Sequence, residues 1–226
     1  MGHSGNSRTG NPLQTGWIFI VLLLMSGGAG CSKKGSVYTY HDENIKGSVK
    51  QIVERTYAAQ KDANRWKAGD LYAKTVYEYN REGKLASKRI YSPDTSLIER
   101  YTYMYNGMKR AEVRRYSGQN KLSHVKKYSY PWTSGEEVEV QVYSPTDSLM
   151  WTERHAFDEK RRQIRKKVYG KDEQLRYQVS YRYNPKNYII QKQGVDKLTY
   201  HFRETDKQGN WIRRINTEDK IKASIT

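Results

Sequence analysis

One thiol, five imidazoles and a short run of acids are the side chains in this 226-residue sequence whose types could do chemistry. Cys31 is the only cysteine, so no internal disulfide can form, and it directly follows an apolar stretch from Trp17 to Met25 and the small residues Ser26 to Gly30. That placement makes covalent modification at the start of a mature chain the chemistry to consider. His3, His41, His124, His155 and His201 never fall in a His-x-His or His-x-x-x-His pair, and no metal site is expected from them. His124, His155 and His201 read instead as hydrogen-bonded or exposed rings on strands. Glu136, Glu137 and Glu139 lie on one strand segment, whereas a general-acid pair needs facing carboxylates in a cleft, so they read as solvated charges. There is no Gly-x-Ser-x-Gly elbow, phosphate-cradling glycine loop or dinucleotide fingerprint. The expectation is a protein with no catalytic residue, no metal and no cofactor.

The elements that position Cys31 are a mildly basic start carrying Arg8, the apolar stretch, and the small residues before the thiol, the three parts of a secretory signal. A helix that spans a bilayer needs about 20 apolar residues, and the strongly apolar run here, 17 to 25, is nine long. The segment resembles a bacterial lipoprotein signal. The resemblance implies cleavage between Gly30 and Cys31, acylation of Cys31, a signal peptide over residues 1–30 and a tether over 31–44. Ordinary secretion with a leftover thiol is the alternative. Two or three acyl chains, at about 0.8 kcal/mol per buried methylene, would hold the protein on a membrane. Ser32, Lys33 and Lys34 lack the acidic cluster that sends some lipoproteins outward, so the resemblance implies the periplasmic side of the outer membrane.

Without residues 1–30 the chain keeps 40 lysines and arginines against 24 acids, a net charge of +16. Such a charge invites nucleic acid, but export away from cytoplasmic DNA disfavours it. No interdomain linker is visible, so a single domain over 45–216 with a C-terminal tail over 217–226 is expected.

That domain repeats itself. The aromatic residues Tyr79, Tyr105, Tyr130, Phe157 and Tyr183 are spaced by 26, 25, 27 and 26 residues. Tyr91, Tyr116, Tyr143 and Tyr169, and Leu97, Leu122, Leu149 and Leu175, keep the same step. Before each anchor the sequence alternates with period two, as in Leu175, Tyr177, Val179, Tyr181 and Tyr183, with Arg176, Gln178, Ser180 and Arg182 between, which predicts a strand with one apolar face and one wet face. After each anchor comes turn chemistry: Asn80 to Gly83, Asn106-Gly107, Pro131 to Gly135, Asp158 to Arg161 and Asn184 to Asn187. A second strand then ends at the second tyrosine, and a second polar turn follows, as in Ser92-Pro93-Asp94-Thr95.

Connections this short join only antiparallel neighbours. The fold class is therefore all-β: an antiparallel β-meander of about 26-residue two-strand repeats, with about ten to twelve strands that should curl into a partly rolled single sheet. The spacing of Val49, Ile52, Val53 and Tyr57 would allow a helix, but Asp70 to Tyr79 supplies an antiparallel partner across a loop from Ala58 to Gly69, so a strand is expected. The unit from Lys207 to Ile212 reads as a cap or incomplete repeat.

The units Tyr77-Glu-Tyr-Asn-Arg-Glu-Gly-Lys-Leu85 and Tyr103-Met-Tyr-Asn-Gly107 resemble the tyrosine-and-acid repeats called YD or Rhs-type repeats, with Asn80, Asn106 and Asn184 where Phe157-Asp158 keeps the acid. The resemblance covers roughly residues 72 to 215 and implies stacked hairpins on a secreted or surface protein with no enzymatic activity of its own.

All 20 tyrosines follow residue 31 while aliphatic residues are sparse, so the buried layer must be largely aromatic. Each ring buries about 150 to 250 Å², an upper bound of roughly 4 to 6 kcal/mol. Arg110, Arg114, Arg115, Arg161, Arg162, Arg165, Lys166 and Lys167 are expected mostly outside, some over rings. The functional expectation is a tethered β-repeat scaffold in the cell envelope that binds an anionic glycan or an acidic protein. The alternative is a carrier of lipid or another small molecule in an aromatic-lined pocket.

Overall fold

The computed structural model describes residues 15–25, 49–62, 65–131, 137–194, 196–207 and 210–220. They form strands β1 (Thr15–Met25), β2 (Val49–Asp62), β3 (Arg65–Tyr79), β4 (Leu85–Tyr91), β5 (Leu97–Asn106), β6 (Lys109–Ser117) and β7 (Leu122–Ser129). The second half supplies β8 (Glu137–Tyr143), β9 (Leu149–Phe157), β10 (Gln163–Gly170), β11 (Leu175–Tyr183), β12 (Ile189–Gln193), β13 (Asp196–Thr205) and β14 (Trp211–Lys220). Each strand from β2 to β14 pairs antiparallel with its chain neighbour, as the short connections require. These thirteen strands by themselves make an open meander, and β1, paired with β14 on one side and β2 on the other, completes the ring.

Several boundaries differ from the sequence reading. Among the described residues thirteen strands, not ten to twelve, follow Cys31, because the closing unit is a hairpin of β13 and β14 rather than a cap. β14 runs to Lys220, past residue 216, and β1 lies within the segment read as a signal. The loop expected from Ala58 to Gly69 is mostly strand: β2 and β3 stay paired out to Asp62 and Arg65, the ladder absorbing register shifts near Tyr57.

Seven connections share one geometry. In loops beginning at Asn80, Ser92, Ser117, Ser144, Asp158, Gly170 and Asn184, the first residue's N–H donates to the carbonyl of the fifth, and the fourth residue's N–H donates to the carbonyl of the first. The fourth residue takes positive φ each time: Gly83, Thr95, Asn120, Asp147, Arg161, Glu173 and Asn187. This is the turn-plus-bulge hairpin, and its extra residue explains the register slips at Tyr79, Tyr91, Tyr116, Tyr143, Tyr169 and Tyr183. In four loops at the end of the sheet that carries the anchors, the first residue is Asn or Asp, and its side-chain oxygen accepts from the fifth residue's N–H: Asn80 from Lys84 (2.9 Å), Asp158 from Arg162 (2.9 Å), Asn184 from Tyr188 (2.9 Å) and Asp206 from Asn210 (2.8 Å). Only an acceptor is needed there, so aspartate and asparagine are interchangeable.

The β5–β6 turn follows a different rule from the one its Asn-Gly pair suggests. Asn106 pairs with Lys109, which makes Gly107 and Met108 the loop residues. Gly107 alone has positive φ (56°), as a turn with glycine first requires.

Pairing registers place Tyr77, Tyr101, Tyr103, Val113, Tyr128, Val140, Trp151, Val168, Tyr177, Val179 and Tyr181 on one face of the sheet. Tyr101 and Tyr103, and likewise Tyr181 with its neighbours, keep the parity that period-two alternation demands. The tightest packing is at Val138, Val140 and Val142, against Tyr128, Tyr130, Trp151 and Phe157.

Candidate functional site

The anchors sit where each β-hairpin turns, and three of them make the same two contacts. Tyr105, Tyr130 and Tyr183 donate their hydroxyls to the carbonyls of Leu85 (3.0 Å), Arg110 (2.9 Å) and Gln163 (2.8 Å), in each case 20 residues back. One residue further back, a cation lies over the same ring: Lys84 over Tyr105, Lys109 over Tyr130 and Arg162 over Tyr183, at 5.7, 5.1 and 4.9 Å from the centroid. Phe157 has no hydroxyl to continue the series. The anchors therefore tie consecutive hairpins together.

The second tyrosines have a parallel arrangement on the other face. Lys74 lies over Tyr91, Arg100 over Tyr116, Lys127 over Tyr143 and Arg154 over Tyr169. Much of the basic excess thus belongs to the repeat itself, each cation worth about 0.5–1 kcal/mol where exposed.

The ring-bearing face is not purely apolar, which corrects the one-greasy, one-wet description of the strands. Glu54, His124, Glu153, His155, Arg214 and Asn216 are buried on it. Arg110, expected outside, is also buried, its guanidinium over Tyr103 at 4.9 Å with Tyr105 and Tyr128 nearby. Arg115 and Lys166 share that face as well, because they pair with Tyr101 and Val179. Arg114, Arg165 and Lys167 do face outward.

Glu153 is the centre of the largest of these polar groups. Its carboxylate accepts from Lys126 Nζ (2.8 Å), Trp151 Nε1 (3.1 Å) and His155 Nε2 (3.0 Å), with the His124 ring 5.7 Å from that of Trp151. Burial pushes the Glu153 carboxyl up, but the His155 hydrogen bond and the Lys126 ammonium outweigh it and hold the group far below the usual carboxylate range. His124 is pushed down by burial and by the nearby Lys126 and Arg115 cations. Two related groups lie to one side: Glu99 accepts from Arg115 and from Tyr101 Oη (2.5 Å), and Glu54 accepts from Tyr77 Oη (3.0 Å). Each carboxylate is engaged by fixed donors, the arrangement that stabilises a sheet lined with rings and charges. Among the described residues no cluster of histidines, cysteines and acids is arranged to hold a metal ion.

Outward, β9 to β11 present a cluster of positive side chains. Lys167 pairs directly with Arg154, Arg165 lies two residues along from it, and Arg176 and Arg182 flank them on β11. Arg165, Arg176 and Arg182 are exposed. The opposing acids are Glu139, 3.4 Å from Arg154, and Asp172, 2.6 Å from Arg176. The sequence reading names Arg165 and Lys167, and its alternation puts Arg176 and Arg182 with Gln178 and Ser180 on the wet face of their strand, as found; Arg154, on β9, it does not single out. Cys31 and Gly30 lie outside the described residues, as do the tether and most of the turn from Pro131 to Gly135.

No family model matches the chain, and no curated protein matches it. Among solved structures it is similar to a porin-like protein from Bacteroides uniformis, at 9% identity and a TM-score of 0.37, over 91% of this chain and 96% of that one. No helix among the described residues is long and apolar enough to cross a membrane.

Proposed function

We propose that this protein is a cell-envelope lipoprotein, anchored through acylated Cys31, whose β-repeat domain is a non-enzymatic scaffold that binds an anionic glycan or an acidic protein face. The observation that carries the binding half is the outward cluster of Arg154, Arg165, Lys167, Arg176 and Arg182 on β9–β11. Two of its five cations have an acid partner among the described residues, and Arg165 is exposed. A rigid sheet that holds guanidinium groups on alternate positions suits carboxylate or sulfate groups, which accept two hydrogen bonds from one guanidinium. The anchoring half is carried by Cys31 behind its apolar segment, and the outer membrane's periplasmic side is the leaflet assigned to it.

The outward face also argues about lipid. At mid-strand it carries Arg100, Glu112, Arg114, Lys127, Glu139, Arg154 and Lys167, where a lipid-facing barrel wall would carry an apolar band. Acyl chains, rather than the sheet, are therefore the membrane attachment proposed.

Two measurements test the proposal. The intact mass of the purified chain should correspond to a start at Cys31 plus acyl groups, and Cys31→Ala should abolish both the added mass and partition into detergent. On an immobilised sulfated glycan, the triple variant Arg165→Gln, Lys167→Gln, Arg182→Gln should elute at distinctly lower salt than the parent. Equal elution of parent and variant would overturn the assigned surface.

A further inference from the structure

We propose that the processed protein takes up an extended apolar segment of another polypeptide by strand addition, in the slot between β14 and β2. The inference rests on the reading of Cys31 as the first residue of the mature chain, because that processing removes β1. β1 is the strand that closes the ring: it pairs with β14 from Thr15 to Ile20 and with β2 from Trp17 to Met25. Among the described residues no pairing joins β2 to β14 directly.

Geometry specifies what the slot accepts. β1 runs antiparallel to both neighbours, so β2 and β14 run parallel to each other and leave two unpaired rows of N–H and C=O groups once β1 is gone. Strands in a sheet lie about 4.8 Å apart, so the gap is one strand wide. A second copy of this chain would have to insert β2 or β14 with its own sheet still attached, and a gap of one strand excludes that. Glu54 and Arg214, both buried, reach across the gap to 3.7 Å. In register they stand opposite Val21 and Phe19, so this ion pair straddles the seated strand. The segment that fits here is the chain's own Trp17 to Met25, nine apolar residues without a charge.

Both edges keep their main-chain donors. β2 and β14 run 14 and 10 residues with no proline to remove a donor, so an incoming strand finds hydrogen-bonding groups along both. Strand addition supplies affinity through main-chain hydrogen bonds, and the apolar character of the incomer supplies selectivity.

The test uses the acylated protein purified in detergent and a synthetic peptide of residues 15–25 with lysine tails for solubility. Amide hydrogen exchange is followed by mass spectrometry, and the intact mass is recorded on the same sample. In the chain starting at Cys31, alternate amides of β2 and β14 should exchange fast, and the peptide should slow them about tenfold or more. A peptide with prolines in place of Phe19 and Val21 should have no effect. Protection of β2 and β14 without peptide, or no slowing with it, overturns the slot while leaving the lipoprotein reading intact. An intact mass that retains residues 1–30 overturns both, since the chain's own strand then fills the gap.

Discussion

Single side chains carry this sheet through donors aimed at buried acceptors. Breaking a buried charge pair by removing one partner typically costs about 3–5 kcal/mol. Glu153→Gln, which leaves the Lys126 ammonium without its counter-charge, should therefore lower unfolding stability in urea by an amount in that range. Replacing both members, Lys126→Met with Glu153→Leu, should recover most of the loss. Acid sensitivity follows from the same residues. A folded-state pKa held below the unfolded value gives stability that is complete above the unfolded value and is lost as pH falls through the folded one. His124 thus predicts a first decline below about pH 6.5, and Glu153 with Glu99 and Asp158 a second below about pH 4.5, where their carboxyls begin to protonate in the unfolded chain. His124→Gln should flatten the first step in a pH series of urea midpoints. At the alkaline end the sign reverses: burial raises Tyr130 to about 12 and pushes Tyr101 and Tyr103 up as well. Stability should therefore be full below pH 10 and fall above it. Period-two alternation placed these residues on one face, but it could not show that Arg110 would be buried, because a cation's position depends on the three rings around it.

Hairpins are the unit at the next scale, and their turns set the register. Thr95, a β-branched residue, holds a φ of 69°, a conformation that costs roughly 1–2 kcal/mol for an L residue. Thr95→Gly should raise stability by about 0.5–1 kcal/mol after the extra unfolded-chain entropy of glycine is discounted, read as a shift in urea midpoint at unchanged slope. Gly118 calls for the opposite outcome. A Cβ there would lie 2.0 Å from the Leu97 carbonyl oxygen, so Gly118→Ala must displace the start of β5 and should destabilise the protein by more than Thr95→Gly stabilises it. The Asn-x-x-Gly turn was legible because its glycine matches the positive φ it adopts, and the Ser-Pro turns because proline presets the first turn position, Thr95 notwithstanding. The extension of β2 and β3 to Asp62 and Arg65 was not: Ala58 to Gly69 lacks alternation, and only the facing strand makes those residues extended.

At the scale of the whole molecule, each strand touches its chain neighbours, so stability resembles that of a linear array with nearest-neighbour coupling. Amide exchange should therefore be graded along the sheet, slowest in β6 to β9 around Val138, Val140 and Val142, and faster toward the edge strands β2 and β14 at the ends of the array. Val140→Ala, at a fully buried site, should cost about 1–3 kcal/mol and speed exchange in β7 to β9 well before it reaches β3. Uniform acceleration across all strands would show that the array unfolds as one block.

By itself the sequence determined the repeat, the strand parity, the turn positions and the all-β meander, because each rests on contacts between residues close in the chain. Local propensity and short loops leave antiparallel neighbours no other arrangement. Tertiary structure alone decided the rest: which cations are buried under rings, that Glu153 gathers Lys126 from β7 beside Trp151 and His155 of its own strand, and that β1 bridges β14 and β2. Those features depend on where a curved sheet brings distant segments, and no spacing along the chain encodes that distance.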